Sequence, residues 1–280
     1  MNKAFSKVLA GIFFTTAIIV TINSCKKDEP DTDTQASTDN SICEGEFSRL
    51  CPHTNGIAVG DSGVQKDNQL PVPFNGDCYE YYILDTVFPI RMMIVYGDTD
   101  GDLHPDIATP CSDGKSRMGV IVARFQSPWG VFPATVIMDL DTLGYEVNGL
   151  KFEGIVSLTK TSPLSFHQVV TGGKCSSSTW NILWNSDRTI SMNLGDLVNL
   201  YDDYSLVSGT ASGTNRNGKD FSVDITTALK RTVVCQWISE GAMTIKIQDK
   251  KDRTVDYGNG TCDNKATVTI DGNTFEFTLQ

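Results

Sequence analysis

The sequence predicts an all-β fold: one large antiparallel up-and-down meander, curled into a half-barrel or barrel or folded into a sandwich. Three observations predict it. From about residue 79 apolar and polar residues alternate with period two, as half-buried strands require. Turn clusters of Gly, Asn and Asp interrupt that pattern about every ten to fifteen residues. No stretch carries the apolar stripe of an amphipathic helix.

Taken in chain order, residues 43–76 are Gly- and Pro-rich and are expected to cap or lead into the sheet, with one helical turn over Glu44–Leu50. The alternating runs begin with Ile90–Tyr96, Met118–Phe125 and Ala134–Met138. Asn148-Gly149 then joins Gly144–Val147 to Leu150–Leu158, and Leu164–Val170 and Thr179–Trp184 follow. Asp196–Tyr201 has the composition of a second helical turn. Asn217-Gly218 marks a hairpin tip before Phe221, Val223 and Ile225. Glu240-Gly241 is read as the turn between strands Val233–Ile238 and Ala242–Ile247. The clearest hairpin is the last, where Asp271-Gly272 separates Ala266, Val268 and Ile270 from Phe275, Phe277 and Leu279. Asp-Gly and Asn-Gly suit a type I′ turn, which needs positive φ at both central residues. Connections this short imply sequential antiparallel pairing. Roughly a dozen strands in one sheet must twist or curl to cover their apolar face. A closed barrel, a half-barrel and a two-layer sandwich all satisfy that demand.

The chain ahead of this body reads as an export and anchoring device. Residues 1–24 have the form of a signal peptide: Lys3 and Lys7, then the uncharged run Val8–Val20, too short for a comfortable span. Ile22-Asn23-Ser24-Cys25 resembles the lipobox of bacterial lipoproteins, although Asn23 departs from the small or aliphatic residue usual there. The resemblance implies cleavage before Cys25, a diacylglyceryl thioether on its sulfur and a third acyl chain, such as palmitate, on its amine. Two or more chains anchor stably where one does not. Lys26-Lys27-Asp28-Glu29 resembles the signal that sends Bacteroidetes lipoproteins to the cell surface, and reads equally as a solvated linker. Residues 25–40 are accordingly expected to be a lipidated flexible tether, 41–77 an irregular cap, and 78–280 the antiparallel β domain.

Without Lys3 and Lys7 the formal charge moves from −11 to −13, which repels phosphate backbones and excludes nucleic acid as a natural partner. Seven of the eight cysteines follow Cys25, in a context where disulfides persist, and none has zinc-site spacing. Proximity in the chain suggests Cys43 with Cys51, Cys78 with Cys111, and Cys235 with Cys262. Cys175 is then left over.

The segments Gly209–Lys219 (GTASGTNRNGK) and Asp256–Ala266 (DYGNGTCDNKA), with Cys111, Asp113-Gly114, Arg117 and Gly119 upstream, resemble an uncharacterised family of Bacteroidetes β-rich lipoproteins. The likeness covers roughly residues 78–280 and implies a surface or periplasmic β protein, with no activity attached; as a lipoprotein it is expected in the cell envelope, at the outer membrane or the cell surface. Against that family, residues 97–110 look longer than a tight turn.

Several constellations carry potential chemistry. Asp98, Asp100 and Asp102 alternate around Gly101 and are followed by His104 and Asp106, a spacing that can turn carboxylates inward on one calcium ion. The spacing is not that of an EF-hand, so a structural loop clamp is the expectation, with a solvated acidic loop as the alternative. His53, His104 and His167 lie in no catalytic context. Gly60-Asp61-Ser62-Gly63 resembles the nucleophile segment of trypsin-like proteases, but Val64 replaces the final glycine and the segment reads as a turn. Asp202-Asp203, between Tyr201 and Tyr204, reads as a strand start with an Asx turn, or as a sugar contact. Trp129, Trp180, Trp184 and Trp237 could stack on sugars, with Trp180 and Trp184 sharing a face that is more often core. No phosphate-cradling glycine loop is found, so no nucleotide cofactor is expected.

The leading expectation is a non-enzymatic envelope lipoprotein, held to the membrane through Cys25, that binds a glycan, matrix or envelope-protein partner. A carrier of a lipid-like ligand inside the curled sheet comes second. An acid-dependent glycoside hydrolase comes third.

Overall fold

The computed structural model describes residues 31–60, 78–98, 100, 102–111, 113–195 and 202–279, so the signal segment, Cys25 and the expected helical turn at 196–201 lie outside it. Residues Asp31–Gln280 form one compact unit. Two helices, α1 (Gln35–Phe47) and α2 (Leu50–Gly60), precede the strands. The strands are β1 (Tyr79–Ile83), β2 (Ile90–Tyr96), β3 (Thr109–Pro110), β4 (Ser116–Phe125), β5 (Ala134–Asp139), β6 (Tyr145–Val147), β7 (Leu150–Ser162), β8 (Ser165–Ser176), β9 (Asn181–Asn193), β10 (Tyr204–Thr214), β11 (Asp220–Thr232), β12 (Glu240–Ile247), β13 (Arg253–Asn259), β14 (Lys265–Ile270) and β15 (Asn273–Thr278). All belong to one antiparallel sheet in the order β1-β2-β4-β5-β7-β8-β9-β10-β11-β12-β13-β14-β15, with β3 paired to β4 and β6 bridging β4 and β7.

β1 and β15 end that order and do not pair with each other, so the sheet stays open. There is no second sheet among the described residues. The apolar face of this single layer instead contributes, from β2 to β15, to one core cluster shared with both helices. The sheet therefore curls around its own N-terminal helices, and they take the place of a second layer.

The two strongest turn signals are realised as expected. Asn148-Gly149 (φ 51° and 75°) and Asp271-Gly272 (φ 48° and 82°) both have positive φ at each central residue. Glu240-Gly241 is different, and the expected turn there is corrected. Both residues lie inside β12, where Gly241 has φ 110° and a Cβ would meet the Ala228 carbonyl oxygen at 2.5 Å. It is the glycine of an irregular pairing with β11, whose register shifts around Thr227. Val233–Ile238 is accordingly a loop, with Val233 and Val234 exposed.

The N-terminal segment is corrected more deeply. The flexible tether expected through Asn40 gives way to helix at Gln35, and the irregular cap is helical from Ser41 to Phe47 and again from Leu50 to Gly60. Almost all of α1 is buried although its sequence, QASTDNSICEGEF, is largely polar. Burying such groups is costly unless each finds a partner, and the sheet supplies them. Arg216 Nε donates to Asp39 Oδ1 (2.7 Å) and Arg188 Nη2 to Glu44 Oε2 (2.5 Å). Tyr145 Oη donates to Glu46 Oε1 (2.7 Å), and the Arg117 guanidinium lies 3.2 Å from the same carboxylate. Trp184 Nε1 donates to Asn40 Oδ1 (2.9 Å), Gln168 Nε2 to the Phe47 carbonyl (2.9 Å) and Arg231 Nη1 to the Gly45 carbonyl (3.0 Å). The last two satisfy carbonyls at the helix C-terminus, which has no intrahelical donors for them. Phe47 adds an apolar anchor, stacked on Trp184 with ring centroids 5.2 Å apart.

Disulfides join Cys78 to Cys111 and Cys235 to Cys262, the second tying the Val233–Ser239 loop to the segment after β13. The third expected pair is corrected. Cys43 and Cys51 are free thiols on α1 and α2, each fully buried in the apolar core as a small hydrophobe. With Cys175, three buried thiols are free where one was expected.

Candidate functional site

The acidic loop after β2 brings part of the expected ligand set together. Asp98, Asp100 and Asp106 each offer a carboxylate oxygen, all within 4.8 Å of one another. The backbone builds this geometry through Asx turns. Asp98 accepts from the N–H groups of Asp100 (3.2 Å) and Leu103 (2.9 Å), and Leu103 takes a positive φ of 71° to turn the chain back. The N–H of Asp106 then closes onto the Gly97 carbonyl at 2.8 Å. Asp102, also expected in the set, is not grouped with these three. Its Oδ1 accepts the N–H of His104 at 2.9 Å, which holds the carboxylate to its own turn.

The interior holds several titratable groups whose values burial and neighbouring charges set, among them Lys115, which burial lowers to about 8. Burial alone would raise the Glu46 carboxyl, but the charges of Arg117, Lys115 and Arg49 overcome it and hold it at about 2. Burial pushes His53 down to about 3, aided by the Arg117 charge, so its ring is neutral against Tyr96 Oη at 2.7 Å. Burial likewise raises all three free thiols, Cys175 to about 12. They are protonated and enclosed, whereas reactive cysteines need thiolate character and access. Gly60 ends α2, and the rest of the Gly60-Asp61-Ser62-Gly63 segment lies outside the described residues. Asp203 is buried and accepts the N–H of Gly195 at 3.1 Å, a bond to a residue eight positions earlier and not an Asx turn.

None of the four tryptophans is an exposed stacking platform. Trp129 and Trp184 are fully buried, while Trp180 and Trp237 are half-buried and packed on the core. The Arg216 guanidinium covers the Trp180 ring at 3.9 Å.

The outside of the sheet carries a groove that only the strand register reveals. It has a volume of about 770 Å³ and crosses β8 to β12. Two rows of exposed or half-exposed polar side chains run across the strands. Asp187, Thr210, Asp224 and Thr244 are successive cross-strand partners, and so are Asn185, Ser212, Ser222 and Lys246. His167 sits at one end with Nε2 2.8 Å from Asp187, and Asn185 is fixed by the Gly172 N–H at 2.8 Å. Among the described residues, the side chains of Thr210, Ser212, Ser222 and Asp224 make no hydrogen bond within the chain. Alternation identifies these positions as outward-facing, but their alignment depends on pairings that no single segment encodes.

No protein-family model, curated protein or solved structure matches the chain.

Proposed function

We propose that this is an envelope lipoprotein, lipidated on Cys25, with a non-enzymatic binding role exercised from the outside of its sheet. One observation carries the reading: the chain's own helices fill the concave face, with α1 almost wholly buried against β8, β9 and β12. A carrier needs that face open to its cargo, whereas here its groups already bond to α1. The outer groove, about 770 Å³ in volume, is a recess that faces solvent. Lysine-rich residues 26–27 and the acids after them fit passage to the cell surface.

Native mass spectrometry of Lys26–Gln280, secreted into an oxidising compartment, tests this. The expected mass is that of the protein with two disulfides and no retained organic ligand. A co-purifying lipid-sized mass that survives desalting would replace the reading with a carrier. Lipidation is checked separately by feeding cells an alkyne fatty acid, whose label Cys25→Ser should abolish.

The three converging carboxylates favour a second element, a calcium ion clamping the loop at Asp98, Asp100 and Asp106. Calcium takes roughly six to eight oxygens, so carbonyls and waters would complete the shell. In the same spectrum a calcium-sized increment should vanish on chelation and in Asp98→Asn/Asp106→Asn, yet persist in Asp102→Asn. An unshifted mass in millimolar calcium would leave the loop merely acidic.

A further inference from the structure

We infer that the groove across β8 to β12 binds a neutral, extended glycan lying perpendicular to the strands, with successive sugars meeting successive strands. The inference rests on the outer-face reading above and names its ligand. Spacing is the first ground. Strands repeat about every 4.8 Å, close to the advance of one pyranose unit in an extended chain. The paired rows Asp187–Thr210–Asp224–Thr244 and Asn185–Ser212–Ser222–Lys246 therefore offer a two-residue station at each of four strands.

Chemistry is the second ground. Together the stations supply an amide at Asn185, hydroxyls at Thr210, Ser212, Ser222 and Thr244, carboxylates at Asp187 and Asp224, and an ammonium at Lys246. Side chains this short leave the recess open. A ligand that brings its own dense array of hydroxyls can satisfy them. A protein partner would instead look for the aromatic and Arg anchors that dominate protein interfaces, and neither row contains one. The volume, about 770 Å³, lies within the usual range for small-ligand sites.

Charge is the third ground. Two carboxylates face one ammonium here, on a chain of net charge −11. Uronate or sulfated glycans would meet like charge, so the fit is to uncharged sugars. With no exposed tryptophan to stack on them, binding should be weak and sensitive to polar substitutions.

The test is amide-resolved NMR of Lys26–Gln280 titrated with cellohexaose, chitohexaose, xylohexaose and mannohexaose, with glucose and a heparin hexasaccharide as comparators. The expected result is saturable shifts confined to β8–β12 with at least one neutral hexaose. Glucose should bind at least tenfold more weakly and heparin should leave the groove unshifted. Asp187→Ala/Asp224→Ala should weaken the hexaose at least tenfold without changing the thermal midpoint. These residues are exposed, so a folding failure is not expected, and single Asp→Asn variants back up the measurement. No response to any of the four, shifts mapping elsewhere, or equal affinity in the variants would overturn the glycan assignment. If a purified envelope protein then perturbed the same rows, the outer-face reading would stand while its ligand class fell. A retained lipid in the mass spectrum would instead remove the outer-face reading itself.

Discussion

Glu44→Ala should destabilise the protein by about 3–5 kcal/mol, the loss expected when one partner of a buried ion pair is removed. The Glu44 and Arg188 side chains are fully buried and 2.5 Å apart, so the substitution leaves a guanidinium in the core with no counter-charge. Arg188→Ala should cost a similar amount, because Glu44 then keeps only the hydroxyl of Ser48, at 2.6 Å. The double replacement Glu44→Leu/Arg188→Met should recover most of the loss. Arg188 Nε and Nη1 have no hydrogen-bond partner among the described residues, so an apolar side chain there removes an existing cost as well as the charge. Chemical denaturation followed by tryptophan fluorescence reads all four proteins, with Trp184 beside the pair at 5.8 Å from the Arg188 guanidinium carbon. Single substitutions costing under about 1 kcal/mol would mean that α1 is not held by this pair, since surface ion pairs have that worth.

Acid should weaken the fold well before ordinary carboxylates titrate. His53 has its folded value near 3, against 6.5 for the free side chain. Between those values the unfolded chain binds a proton that the native state refuses, so stability falls as pH falls through that window. The slope is roughly 1.4 kcal/mol per pH unit where the difference is one full proton. Glu46 acts in the same direction lower down. Its folded value near 2 means that its stabilisation, complete above about 4.5, is lost as pH descends toward 2. Unfolding midpoints at pH 7.5, 5.5 and 4 should therefore decline steadily. His53→Gln should flatten the upper part of the decline and leave the lower part in place. A wild-type midpoint unchanged between pH 7.5 and 5 would show that the ring is protonated within the fold after all.

The sheet was legible wherever one face of a strand is apolar. β14 alternates Ala266, Val268 and Ile270 with Thr267 and Thr269, β15 alternates Phe275 and Phe277 with Glu276 and Thr278, and their turn residues carry the φ values the dipeptide demands. Legibility failed where the inward face is polar. β9 was readable only to Trp184, because its next inward positions are Ser186 and Arg188. α1 failed for the same reason in stronger form. A helix buried on all sides by charge pairs shows no stripe, and its partners, such as Arg216 and Tyr257, lie far along the chain. The acidic loop was visible as composition, but which of its carboxylates converge depends on how the loop folds back onto Gly97. The groove was invisible for want of register.

The position of α1 at the front of the compact unit constrains the order in which that unit can form. Ser41 meets Tyr257 across 216 positions, and Asp31 meets Arg253 across 222. A chain delivered from its N-terminus thus presents the helix first, while its partners arrive later, from Arg117 and Tyr145 to Arg188, Arg216 and Tyr257. Until they do, Asp39, Glu44 and Glu46 have every reason to remain hydrated, and no early fragment can seal a dry interior around them. The compact unit consequently stays open until most of the chain is present and closes in one late event, with contacts this non-local making that closure slow.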